Sequence, residues 1–130
     1  DIHLGPTVKK ISTRNEDDIK VAVKNELDVA FMKGTSLNFI ECKSGTQNHG
    51  PWQDVFYKIE SIKKQFGALR VYSHLASSSA NILDKDNKIK EQVQLRSELY
   101  NCKIIPAETI RSLAQASSLE QEYELLKPYV

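Results

Sequence analysis

Four ionisable side chains sit in a stretch otherwise built for strands. In NELDVAFMKGTSLNFIECKSG, Asn25 to Gly45, two apolar runs flank a Lys33-Gly34 turn and carry Glu26, Asp28, Glu41 and Lys43. A charge in a half-buried strand is costly unless it faces water, finds a partner or holds a metal. Side chains alternate faces along a strand, so Glu41 and Lys43 share one face while Ile40 and Cys42 take the other. By the same alternation Glu26 and Asp28 share a face, with Leu27 and Val29 opposite. Pairing the two runs across MKGTS makes them antiparallel neighbours and brings the acids toward one spot.

Two carboxylates meeting there repel unless a cation lies between them. Mg²⁺ or Mn²⁺ suits that role, accepting carboxylate oxygens, a backbone carbonyl and waters. Asp28 and Glu41 are the expected ligands, with the Cys42 backbone carbonyl as a third. Such an ion acidifies water and stabilises charge on a phosphoryl oxygen. Lys43 would then stabilise the phosphorane or assist deprotonation. Asp28, Glu41 and Lys43 are thus the expected catalytic set for metal-assisted phosphodiester hydrolysis. Glu26 reads equally as an accessory acid or as a rim ion-pair partner. The plainer alternative is a solvated hairpin face with cross-strand Glu–Lys pairs.

An acid-x-Lys triplet means little alone, because the chain has three: Asp18-Ile-Lys20, Glu41-Cys-Lys43 and Asp86-Asn-Lys88. Only the Glu41 triplet closes an apolar strand, follows a hairpin partner with its own acid and precedes an amphipathic helix. The elements around it are expected as follows. An extended segment covers Ile2 to Ile11, bent at Gly5-Pro6, and a polar turn covers Ser12 to Asp18. IKVAVKNELDVAF, Ile19 to Phe31, reads as one long strand, and Leu37 to Lys43 as the next. SGTQNHGP is a loop. Trp52 to Phe66 is a helix, since Val55, Phe56, Ile59, Ile62 and Phe66 follow helical spacing and Gly67 sits at a C-cap. ALRVYSHLAS is a strand. Asp86 or Asn87 caps a helix running to about Leu99 or Tyr100. CKIIPA is a short strand, Glu108 to Leu113 starts a helix, and LEQEYELLKPY forms another.

The order β-β-β-α-β-α-β-α implies an α/β fold, with a meander leading into crossovers and helices flanking a mixed sheet. A chain of 130 residues with 40% apolar and 27% charged positions suits one domain with a real core. The expectation is a single domain over 1–130, cut from a longer chain. No apolar run approaches a membrane span, and no signal-peptide pattern is present. A net charge of +1 gives no broad basic footprint, though a local patch remains open. Cys42 and Cys102 form no CxxC and read as two free, buried thiols in a reducing cytoplasm. His3, His49 and His74 have no zinc spacing. Phosphate-loop and GxSxG motifs are absent.

The pattern Glu-Leu-Asp-Val followed by Phe-Ile-Glu-Cys-Lys-Ser-Gly resembles the PD-(D/E)xK nuclease superfamily. More narrowly, NELDVAF…NFIECKSG is similar to the C-terminal nuclease domain of CRISPR ancillary nucleases that carry a CARF sensor. The likeness runs from the first strand to about Leu113, and Leu27 stands where the motif name has proline. It implies a restriction-endonuclease-like fold, with Asp28, Glu41 and Lys43 as first acid, second acid and lysine. It also implies single-stranded RNA or DNA as substrate, a homodimer in the full-length protein and gating by cyclic oligoadenylate at a domain absent here. A catalytically silent nucleic-acid-binding or dimerisation module of the same fold is the alternative. A restriction- or repair-type DNA nuclease is a third reading.

Gln53 and Tyr57, four apart on one helix face, resemble the Gln-x-x-x-Tyr feature of several such nucleases. They could lie near the nucleic-acid backbone, or Tyr57 could pack at the core rim. Trp52 could stack a base or cover the sheet. Lys58, Lys63 and Lys64 could touch phosphates or form a solvated face. His49 could shuttle a proton. SHLASSS could offer hydroxyls and amides to phosphate, or be a plain polar loop.

Overall fold

The structure, a computed structural model, describes residues 2–4, 7–14, 19–44, 52–67 and 69–129. Strands β1 (Ile2–Leu4), β2 (Thr7–Arg14), β3 (Ile19–Glu26), β4 (Val29–Lys33) and β5 (Ser36–Lys43) come first. Helix α1 (Trp52–Lys64), β6 (Val71–Ser77), a 3-10 turn (Ala80–Ile82), α2 (Glu91–Leu99), β7 (Cys102–Pro106), α3 (Ala107–Gln115) and α4 (Leu119–Leu126) follow. The main sheet has the order β1-β4-β5-β6-β7, and β2 with β3 forms a separate antiparallel ribbon. Pairing is antiparallel from β1 through β5 and parallel from β5 through β7. Two parallel pairs need two crossovers, and α1 and α2 supply them. The helices touch each other on one sheet face, while α3 lies against β6 and β7.

The β4–β5 hairpin is the one the sequence implies. Lys33 pairs with Ser36, and Gly34 at φ +60° supplies the positive dihedral that so tight a link requires. Helix α1 presents Phe56, Ile59 and Ile62, all buried, to a sheet face made of Phe39, Leu75, Cys102 and Ile104. Each such side chain contributes about 1.5–3 kcal/mol on burial. Helix α1 ends at Lys64, two residues short of the expected Phe66, and Gly67 at φ +59° closes the turn that follows it.

Three further expectations are corrected. IKVAVKNELDVAF is two strands, not one: β3 leaves for the ribbon, and Leu27 and Asp28 stand between it and β4. The cause is Leu27, 1% exposed and turned into the core, together with the use of the Asp28 side chain described below. Neither Asp86 nor Asn87 caps α2. The Asp84 carboxylate instead accepts from the amides of Asp86 (2.8 Å) and Lys88 (3.0 Å), closing a turn, and the helix starts at Glu91. Cys42 is exposed while Cys102 is buried, and both are free. Burial pushes the Cys102 thiol up to about 11, so it stays protonated. The bend at Gly5-Pro6, the turn at 15–18 and most of the SGTQNHGP loop lie outside the described residues.

His74, buried in β6, ties the C-terminal segment to the sheet. Its Nε2 lies 2.8 Å from the Tyr129 carbonyl and its Nδ1 3.3 Å from that of Phe39. A neutral imidazole donates to one carbonyl, and the shorter contact assigns the proton to Nε2. Burial pulls the His74 pKa below 6.5, outweighing the two carbonyls that favour the cation, and Lys103 adds to the fall. Below 6.5 the unfolded chain therefore binds more protons than the folded one, and stability falls with pH. The melting temperature should drop between about pH 7.5 and pH 5.5 more steeply in the wild type than in His74→Gln. Equal slopes would remove His74 from the account.

Candidate active site

Glu41 is the deepest charge among the described residues, 1% exposed at the C-terminal half of β5. The register explains its place. Phe39, Glu41 and Lys43 alternate onto the face that α1 covers, opposite Ser73, Leu75 and Ser77 of β6. A carboxylate there must find positive charge or hydrogen-bond donors. Its Oε1 accepts from Lys43 Nζ at 2.8 Å and from Lys58 Nζ at 2.7 Å. Its Oε2 is buried and has no hydrogen-bond partner among the described residues. An orphaned anionic oxygen beside a satisfied one is unusual, because each unmet buried acceptor costs about 1–3 kcal/mol.

Asp28 is the second acid. Val29 pairs with Ile40, so extending the register by one sets Asp28 across from Glu41 on the same face. Asp28 lies in a bend immediately before β4, and its Oδ2 accepts from the Cys42 amide at 2.6 Å. A continuing ladder would bring a main-chain carbonyl to that amide. The side chain takes the carbonyl's place, which ends the strand and fixes the carboxylate beside β5. The effect is felt at the Cys42 thiol on the other face: burial pushes its pKa up first, then the charges of Asp28 and Glu41, against a lowering by Lys43.

The structure thus brings Asp28, Glu41, Lys43 and the Cys42 backbone together. Lys58, considered above for phosphate contact, joins them from α1. Its signal was the helix period: position 58 borders the inward row of Val55, Ile59 and Ile62. Glu26 does not share a strand face with Asp28, because β3 ends at Glu26 and Asp28 lies outside both strands; Glu26 is exposed. Tyr57 is exposed and meets Tyr100 edge-on, with ring centroids 5.7 Å apart, on the α2 side of the helix. Trp52 and Gln53 open α1. Their side chains, like His49, lie outside the described residues. Lys63 donates to the Tyr100 carbonyl at 2.8 Å, and Lys64 lies 4.0 Å from Glu60. In SHLASSS, Ser73, Ser77 and Ser79 are buried and Ser78 is exposed. Ser77 accepts from the Ser79 amide and Ser79 caps the 3-10 turn.

The donor set fits a hard divalent ion: two carboxylates, one with an unpartnered buried oxygen, and an adjacent backbone carbonyl. Among the described residues no three His, Cys, Asp or Glu side chains gather into a closed metal cage. That is expected of a site completed by carbonyl, water and substrate oxygens rather than by side chains alone. No helix among the described residues is long and apolar enough to cross a membrane.

Among solved structures, the chain is similar to protein VC1899 from Vibrio cholerae, with TM-score 0.63 and 23% identity over 98% of this chain. It is also similar to Can2 from Sulfobacillus thermosulfidooxidans, solved in complex with cyclic tetra-adenylate, with TM-score 0.52 and 20% identity over 88% of this chain. The chain spans 27% of the length of each. At these identities the likeness establishes the fold. No curated protein matches the chain. The family model for the Card1-like endonuclease domain matches residues 3–111, from the first strand to the third helix. With most of its length covered, and a carboxylate-lysine cluster on the sheet that the match spans, the chain belongs to the Card1-like endonuclease domain family.

Proposed function

We propose that the chain is the metal-dependent nuclease domain of a CRISPR-type defence protein, with a catalytic site of the PD-(D/E)xK kind at Asp28, Glu41 and Lys43. The observation that carries this reading is Glu41 Oε2, a buried carboxylate oxygen without a hydrogen-bond partner among the described residues, on the strand face that Asp28 shares. Asp28, Glu41 and the Cys42 carbonyl would hold Mg²⁺ or Mn²⁺. Such an ion, when bound, supplies an acidified water and charge stabilisation on a phosphoryl oxygen. The chain's own residues do the rest. Asp28, pinned by the Cys42 amide, keeps its second oxygen oriented. Glu41, anchored in the core, holds its carboxylate still. Lys43, half-buried, is placed to stabilise negative charge on the phosphoryl group or to help take a proton from water. Lys58, 44% exposed on its side chain, can swing from Glu41 to a phosphate.

The substrate proposed is single-stranded RNA or DNA. Regulation is proposed by analogy with Can2, through a cyclic oligoadenylate bound elsewhere in a longer protein, which would act as a homodimer. A duplex-specific restriction or repair role is less well supported, since the net charge of +1 provides no broad surface for a duplex backbone.

The direct test uses labelled single-stranded RNA, single-stranded DNA and plasmid, with Mn²⁺ or EDTA. Cutting should require the metal and disappear in Glu41→Ala, while Lys43→Ala should slow it by about 10²–10³. Cutting in EDTA, or cutting that survives Glu41→Ala, would sink the mechanism.

The ion pairs give a second, independent expectation. Removing both ammonium groups in Lys43→Met/Lys58→Met leaves Glu41 buried and uncompensated. This should cost about 2 kcal/mol, between the surface and fully buried cases. Adding Glu41→Gln should recover most of that loss in denaturant unfolding. No destabilisation in the double variant would mean that the lysines do not compensate Glu41.

A further inference from the structure

The opposite face of the sheet carries a second polar concavity that the nuclease reading does not use. Register puts Ser36 and Asn38 of β5, Tyr72 and His74 of β6 and Lys103 of β7 on one face, away from Glu41. With Lys33 at the hairpin, Asn101 and Tyr129 they line a cavity of about 370 Å³. That is near the lower end of the range of about 300–1,000 Å³ for small-molecule sites, and closer to one nucleotide than to a peptide or a duplex.

Its chemistry is one-sided. No carboxylate lines it, and Lys33 and Lys103 form no ion pair among the described residues. Two unneutralised ammonium groups at one concavity favour an anion. The adjoining cleft carries one acid, Glu98, which accepts from Gln94 at 2.9 Å. Asn38 is buried in the wall, and its amide nitrogen makes only a long 3.4 Å contact to the Ser36 carbonyl. Asn101 is exposed at the rim. Both amides can present a donor and an acceptor to a base edge. Tyr72, 40% exposed, offers an aromatic surface on which a base can stack. The walls are fixed. Tyr129 is held at its carbonyl by His74 and at its hydroxyl, 3.1 Å, by Thr109.

We propose that this cavity is a nucleotide-binding site, with Lys33 and Lys103 at its two sides to draw a phosphate and a base against Tyr72. The nucleotide is either free, as a mononucleotide, or one unit of a single strand. The site does not depend on the metal chemistry at Glu41, so each can fail without the other.

The test follows backbone amide signals of Tyr72, Asn101 and Lys103 by ¹H–¹⁵N spectroscopy during titration with adenosine 5′-monophosphate, and separately with a short single-stranded oligonucleotide, in EDTA. The expected result is saturable movement of these signals, weakened about tenfold in Lys33→Ala/Lys103→Ala and reduced in Tyr72→Ala, but unchanged in Glu41→Ala. Both lysines are exposed, so the double variant should melt with the wild type. Movement with the mononucleotide alone assigns the site to free nucleotides, and movement with the oligonucleotide alone assigns it to a strand. If neither ligand moves these signals, or if the double variant binds as tightly as the wild type, the proposal is overturned.

Discussion

A carboxylate cannot be buried without an answering charge, and Glu41 is buried. That constraint orders this end of the molecule. Two lysines from different elements converge on one oxygen of Glu41, Lys43 from its own strand and Lys58 from the helix above. Neither lysine reaches the second oxygen. Structural ion pairs gain nothing from leaving an acceptor orphaned, and replacing such a cluster by apolar residues is commonly neutral or stabilising. In the function proposed above, the arrangement is a site held ready for a cation, with the lysines as substitutes that can be released toward a phosphate. On the proposed account, that release links occupancy of Glu41 to electropositive character at the substrate.

The fold supplies the convergence cheaply. The antiparallel hairpin sets Asp28 across from Glu41. The parallel step to β6 demands a crossover, and α1 is that crossover. One helix therefore covers the hydrophobic half of β5 with Phe56, Ile59 and Ile62 and delivers Lys58 to its charged half. Asp28 performs two tasks with one side chain. By bonding the Cys42 amide it terminates the β4–β5 ladder, and the same bond orients its carboxylate. The strand end and the proposed ligand are one feature.

Much of this was legible in the sequence. Period-two alternation placed Glu41 and Lys43 on one face, helical spacing placed α1, and Gly34 and Gly67 marked the turns where positive φ is needed. Asp28 was legible as a partner of Glu41, but not as a residue outside the strand. Val21, Val23 and Val29 continue the β-branched rhythm through Leu27, and only tertiary packing of Leu27 shows that the chain leaves one sheet for another. The false helix cap at Asp86 has a similar origin. Asp84, Asp86 and Asn87 are equally good local acceptors, and which one closes the turn depends on the Leu83–Ile89 bridge. The opposite-face cavity was invisible for a simpler reason. It gathers Lys33, Asn38, Tyr72 and Lys103, residues that no local pattern connects.

The most direct measurement of the central claim is calorimetric titration of Mn²⁺ into the wild type, Asp28→Ala and Lys58→Met at neutral pH. One saturable site should appear in the wild type, vanish in Asp28→Ala and tighten in Lys58→Met, because the ion no longer competes with the ammonium group for Glu41. Binding that is indifferent to Asp28→Ala, or no binding even in Lys58→Met, would contradict the account.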